Sequence, residues 1–311
     1  MFVSLCQISI FLLCLMMASS GLSTGENGDS EKISAEIVTP EINHVFLILQ
    51  QSTIDSIART PFIREHFAAF EQSEVNAGSE SWSGTYVIGQ RAYIELFPAS
   101  GGIEGADEVS AGIGLSTRKL GQFQSLKASL LEHAGNRAED GLRVRVFDQD
   151  TISWFYWTSL KDSDSCLLST WLMEFTDEYL NRLGMEMDST RQFNRHDYLT
   201  AKATESDVIP TGSTMFDDIM SIDLELTNKE HTDFKLLADA FRIKSSVSSN
   251  LSSFDFGNCK VSVQVNEKRT YLVRKMVCSL TEAVDSPQQI RFGSDASLEI
   301  SDSQAIWYFG S

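Results

Sequence analysis

The chain has 311 residues, 42% of them hydrophobic, with five prolines and a formal net charge of −18 at neutral pH. A chain of this size can bury a substantial core, and its excess of acid repels phosphate backbones and anionic lipid surfaces. Because no basic cluster with interleaved aromatics offsets that charge, nucleic acid is excluded as an expected partner.

The apolar run Ile8-Ser9-Ile10-Phe11-Leu12-Leu13-Cys14-Leu15-Met16-Met17 is followed by the small residues Ala18-Ser19-Ser20-Gly21. That is the layout of a secretory signal peptide over residues 1–20, so the mature chain is expected to be secreted or periplasmic. The run is shorter than the roughly 20 apolar residues of a spanning helix, and no later stretch approaches that length, so no stable membrane insertion is expected. Residues 21–40 are rich in Gly, Ser and Glu and read as a flexible leader.

The first unit occupies residues 41–100. His44-Val45-Phe46-Leu47-Ile48-Leu49 is a strand, Ser52-Thr53 caps a short helix, and Thr60-Pro61 opens another that runs to about Ala69. Phe70 to Asn76, Ser81 to Ile88 and Ala92 to Phe97 then read as three strands. The order is βαβββ. It returns over residues 105–187, with a strand at Glu108 to Leu115, a helix at Leu120 to His133, and strands at Leu142 to Phe147, Ile152 to Leu160 and Leu167 to Phe175. Residues 188–213 are polar and aperiodic, and read as a linker or a loop over a site.

A third, divergent α/β unit spans 214–311. Ile222-Asp223-Leu224-Glu225-Leu226 alternates like a half-buried strand, and Lys229 to Ile243 has helical spacing. Ser245 to Ser253 reads as a loop, and strands are expected near Ile290, Leu298 and Ile306. Between these, Lys260 to Val265 and Thr270 to Val277 read as a hairpin flanked by Cys259 and Cys278. That arrangement leaves open either a disulfide or two buried thiols; Cys166 reads as buried.

Three residues single themselves out. His44 opens the first strand, Glu95 lies inside Tyr93-Ile94-Glu95-Leu96-Phe97, and Glu174 lies inside Trp171-Leu172-Met173-Glu174-Phe175. A carboxylate within an apolar strand is costly to bury unless it is paired, hydrogen-bonded or bound to a cation. The other readings are a histidine bonded to backbone, glutamates paired with arginines such as Arg143 or Arg145, and a metal-free cup holding an organic ligand.

The βαβββ order, with His44 on the first strand and Glu95 on the fourth, resembles the vicinal oxygen chelate, or glyoxalase-like, superfamily over about Ile42 to Phe175. The run from Asn43-His44-Val45-Phe46-Leu47 through Pro61-Phe62 and Tyr93 to Phe97, with Arg291-Phe292-Gly293 and Trp307, is similar to an exported bacterial family of unknown function, which brings no activity with it. The superfamily resemblance implies an α+β fold of tandem modules around a cup that takes a small organic molecule, with or without a divalent metal. It implies metal ligands at His44, Glu95 and Glu174, with Glu95 and Glu174 as candidate catalytic residues for lyase, isomerase or dioxygenase-type chemistry. The first strand of the second unit departs from the pattern, since Val109-Ser110-Ala111-Gly112-Ile113 has no His, Gln or Glu. That departure favours the alternative of a non-catalytic binding or structural protein with a degenerate site. The motifs of nucleophile-elbow hydrolases, P-loop enzymes, zincins and Cys-x-x-Cys redox proteins are absent from the sequence.

Overall fold

The computed structural model describes residues 39–77, 80–99, 111–147, 150–161, 167–205, 214–248 and 250–310. The expected signal peptide, nearly all of the leader and Cys166 lie outside the described residues.

Strand β1 (Glu41–Leu49) is covered on both faces and therefore reads as a nearly unbroken apolar run. It is followed by α1 (Gln51–Arg59), whose Thr53, Ile54 and Ile57 form the buried stripe, and by one π-helical turn at Ile63–Phe67. Strands β2 (Ala69–Ala77), β3 (Glu80–Ile88) and β4 (Tyr93–Pro98) complete a βαβββ module in which β4 returns parallel to β1. The second module repeats this order with β5 (Ala111–Ser116), α2 (Phe123–Ala134), β6 (Ala138–Phe147), β7 (Asp150–Leu160) and β8 (Leu168–Phe175), and β8 runs parallel to β5.

Antiparallel pairing of β1 with β5 joins the modules into one eight-stranded sheet, β2-β3-β4-β1-β5-β8-β7-β6. The sheet curls far enough that Trp82 on β3 stacks on Trp154 on β7, with ring centroids 6.4 Å apart. Its two faces differ. Val45, Leu47, Ile94, Leu96, Ile113 and Leu172 on the convex face join the core shared with the helices and the third unit. The concave face carries a second, aromatic cluster with Tyr86, Tyr93, Met173 and Phe175.

Helix α3 (Asp177–Arg182) and helix α4 (Arg195–Glu205) follow. The stretch expected to be a linker or loop thus contains a helix, and Tyr198 and Leu199 of α4 pack with Tyr179 of α3 into the concave aromatic cluster. Arg195 fastens α4 in place. Its guanidinium donates to the carbonyls of Ile42 and Arg91 at 3.1 and 2.7 Å, pairs both terminal nitrogens with Asp218, and lies 3.2 Å from Glu41.

The third unit is a further βαβββ module: β9 (Phe216–Leu226), α5 (Asn228–Ala240), β10 (Lys244–Ser248), β11 (Leu251–Asp255) and β12 (Lys260–Val265), closed by a long hairpin of β13 (Val273–Phe292) and β14 (Ala296–Phe309). Its strand order is β10-β11-β12-β9-β13-β14, with β12 parallel and β13 antiparallel to β9. The Ser-rich expected loop is the β10–β11 hairpin, and the expected strands near Leu298 and Ile306 are one strand, β14.

The expected hairpin bearing the two cysteines does not form, because β9 lies between β12 and β13. Two strand spacings separate the cysteine-bearing segments by about 10 Å, beyond the reach of a disulfide, and both thiols are free and buried.

The two sheets share one core, as the stacking of Phe67 on Phe216 at 5.5 Å shows. At the start of α5, Glu230 closes a capping box with Thr227, accepts from the backbone N–H of Leu167 at 2.9 Å, and pairs with the buried Arg269. That carboxylate ties the third module to the start of β8. No helix among the described residues is long and apolar enough to cross a membrane.

Candidate functional site

Side chains alternate between the faces of a strand, so register decides which expected site residues can meet. On β1, His44 and Phe46 point into the concave side. Phe46 lies opposite Glu95 of β4, and Glu95 in turn lies opposite Tyr86 of β3. Tyr93 and Phe97, two residues either side of Glu95 on the same strand, complete a frame of four aromatic side chains around one carboxyl group. Phe46 also packs against Phe97 at 6.0 Å and against Trp171 of β8 at 5.9 Å.

Glu95 is partly buried, and among the described residues none donates a hydrogen bond to its carboxylate. Burial raises its pKa from the ordinary 4.5 to about 7, with nearby Lys202 lowering it and Glu71 raising it. Glu71 on β2 and Lys202 on α4 form a buried ion pair at 2.9 Å, and the ammonium lies 5.2 Å above the ring of Tyr86. The sequence reading missed these two residues. The signal was the helical spacing of Tyr198, Leu199 and Lys202, which places a lysine on the apolar stripe of α4.

His44 is 3% exposed, stacks on Tyr93 at 4.5 Å, and meets Trp171 edge-on at 5.1 Å. Its Nδ1 has no hydrogen-bond partner among the described residues. Burial lowers its pKa to about 3, so the ring is neutral. Its room comes from Gly114 on β5: a Cβ there would lie 2.1 Å from the imidazole, and one at Gly112 would lie 2.1 Å from the ring of Phe46.

Glu174 does not join them. Trp171, Met173 and Phe175 take the concave positions of β8, and Glu174 points the other way, toward α2. There its buried carboxylate accepts from Thr117 Oγ1 at 2.9 Å and from the backbone N–H groups of Gly121 and Phe123 at 2.9 and 3.0 Å. These bonds anchor the first turn of α2, where a carboxylate also suits the helix dipole. The expected equivalence of Glu95 and Glu174 is therefore off by one residue, and one residue changes the face.

The three-ligand set His44, Glu95 and Glu174 is not assembled. The concave positions of β5 hold Gly112, Gly114 and Ser116, and those of β8 hold Ser169, Trp171, Met173 and Phe175, so neither strand supplies a His, Asp or Glu in place of Glu174. Among the described residues, no group of three His, Cys, Asp or Glu side chains is placed to hold a metal ion. As placed, His44, Glu95 and Glu174 do not form one metal-holding group.

Topology and the concave face define an α+β protein of tandem βαβββ modules joined into one curled sheet. The chain belongs to the family of unknown function DUF5829, whose model matches residues 42–309. No curated protein matches the sequence.

Among solved structures, the chain is similar to a hypothetical protein from Staphylococcus aureus, at 12% identity and a TM-score of 0.49, over 81% of this chain and 95% of the other. It is also similar to a xylose isomerase-like TIM barrel/4-hydroxyphenylpyruvate dioxygenase fusion protein, at 11% identity and a TM-score of 0.39, over 76% of this chain and 35% of the fusion. A third similarity is to a mutant of 4-hydroxymandelate synthase from Streptomyces coelicolor, at 11% identity and a TM-score of 0.40, over 74% and 64% of the two chains.

Proposed function

We propose that this protein is an exported binding protein that takes a small organic molecule, without a metal, on the concave face of its paired modules. The observation that carries this reading is Glu95, a partly exposed carboxyl group inside an aromatic frame that no described residue satisfies. A partly exposed carboxyl group with no donor among the described residues is open to a ligand, which would take the place of water on it. Rings packed by both modules offer rigid apolar walls, with one polar anchor to set orientation. Export rests on the apolar segment at residues 8–17 and the small residues behind it.

One observation favours a second reading, a purely structural role. Tyr179, Tyr198 and Leu199 fill part of the concave face with the chain's own side chains.

Ligand-observed NMR with a library of small organic molecules separates the two. Binding is expected for compounds that share one site and are released by Glu95→Gln and Phe46→Ala, with far-UV circular dichroism unchanged. A library in which no compound depends on either residue would leave the structural role. One equivalent of metal in the purified protein, removed by Glu95→Gln, would overturn the metal-free reading.

A further inference from the structure

We infer a second binding site, independent of Glu95, in which Arg145 and Arg182 take a small organic carboxylate at the rim of the curled sheet, with Trp82, Phe147 and Trp154 as the wall for its apolar body. Both arginines rest on one ring. The guanidinium carbon of Arg145, on β6, lies 4.8 Å from the centroid of Phe147, and that of Arg182, on α3, lies 4.2 Å from it. Arg145 also stands 5.2 Å from the ring of Trp154 and donates to Tyr179 Oη at 3.1 Å, which uses one of its five N–H groups.

Among the described residues no acid pairs with either guanidinium, although the chain carries 43 acidic side chains against 25 basic ones. The acids that open α3 are engaged elsewhere: Asp177 pairs with Arg191 at 2.7 Å, and Glu178 accepts from the backbone N–H of Ser153 at 2.8 Å. Two positive charges are thus gathered at one ring without a counter-charge, and a bound anion would supply it.

A separate observation lies one ring away. Trp154 Nε1 is buried with no acceptor among the described residues. An indole N–H can only donate, and a buried donor is rarely left unpaired. The unused indole donor and the guanidinium fork beside it both call for an acceptor oxygen, and the unbalanced charge calls for a negative one. A carboxylate matches the planar fork and has lone pairs for both donors. These side chains can be reached from solvent: Trp82, Phe147, Trp154 and Arg145 are partly exposed, and Arg182 is exposed. Met185 and Met187, also partly exposed, pack on the same aromatic cluster, and thioethers adapt to irregular apolar shapes.

The probe is 2-naphthoate, set against 2-naphthamide, the same ring system without the charge. Calorimetric titration of the full-length protein at neutral pH and low salt is expected to give binding at least about tenfold tighter for the carboxylate, the worth of one hydrogen bond to a charged group. Arg145→Gln is expected to remove that preference, and Arg182→Gln, at an exposed position, to reduce it, with the far-UV spectrum retained. Added salt should weaken naphthoate binding and leave the amide unaffected.

No naphthoate binding, equal affinity for the two probes, or a preference unchanged in either arginine variant would overturn the assignment. If Arg145→Gln does not fold, Arg182→Gln alone decides. Naphthoate binding should survive Glu95→Gln, so the site proposed at Glu95 and this one stand or fall separately.

Discussion

His44 and Gly114 face each other across the β1–β5 pairing, and the imidazole fills the space that any side chain at 114 would take. The second module contributes emptiness where the first contributes a ring. Gly114→Ala is therefore expected to push His44 off Tyr93 and destabilise the fold by about 2 kcal/mol, the usual cost of overpacking a tight core. Chemical denaturation would measure it. A loss below about 0.5 kcal/mol would mean that the ring has somewhere else to go.

Glu174 is predicted to matter for stability and to be silent in binding. Glu174→Ala leaves Thr117 and the backbone N–H groups of Gly121 and Phe123, at the entry to α2, without their acceptor, and should cost about 3 kcal/mol. Ligand-observed NMR of the variant with the same library, at a temperature where it remains folded, should match the wild type. A selective loss of binding would place Glu174 in the site after all.

The two perturbed groups on the concave face pull the pH dependence of stability in opposite directions. Glu95 has its folded pKa raised from 4.5 to about 7, so its contribution is complete below 4.5 and is lost as pH rises through 7. His44 has its folded pKa lowered from 6.5 to about 3, so its contribution is complete above 6.5 and is lost as pH falls toward 3. Between 4.5 and 6.5 the slopes oppose. Glu95→Gln should expose a stability that rises with pH over that window, and His44→Gln one that falls, each by about 2 kcal/mol. Parallel curves for wild type and both variants in urea titrations from pH 4 to 8 would refute the assignment.

Arg195 binds three segments of chain at once, so Arg195→Met should be far costlier than a surface substitution. It strands the buried carboxylate of Asp218 and releases the start of α4, for an expected loss of about 4 kcal/mol. Arg195→Lys should recover little, because an ammonium group cannot reproduce the forked contact with Asp218. Hydrogen exchange should show α4 opening first in either variant.

What could be read from the amino-acid order was whatever local pattern specifies. The apolar run of β1, the lone carboxyl group of β4 and the βαβββ order are all local, and the structure shows the same order. Glu174 failed for a different reason: its flanking residues resemble those of Glu95, and only strand parity, fixed by pairing with β7, separates them. The exposed edge strand β10 passed for a loop because with both faces wet it has no alternation to detect. The cysteine hairpin failed because β9, some 40 residues earlier, inserts between two segments that adjoin in sequence, and no local signal announces a partner from so far away.

The β13–β14 hairpin carries one more implication. In the first two modules the free flank of each leading strand is satisfied by the other module, whereas β9 has that flank occupied by β13, which belongs to no module at all. The hairpin acts as a terminator for the repeat. A further βαβββ unit added by duplication would find no seat at β9 unless β13 were first displaced, so growth of this architecture by simple tandem copying is blocked at its third member.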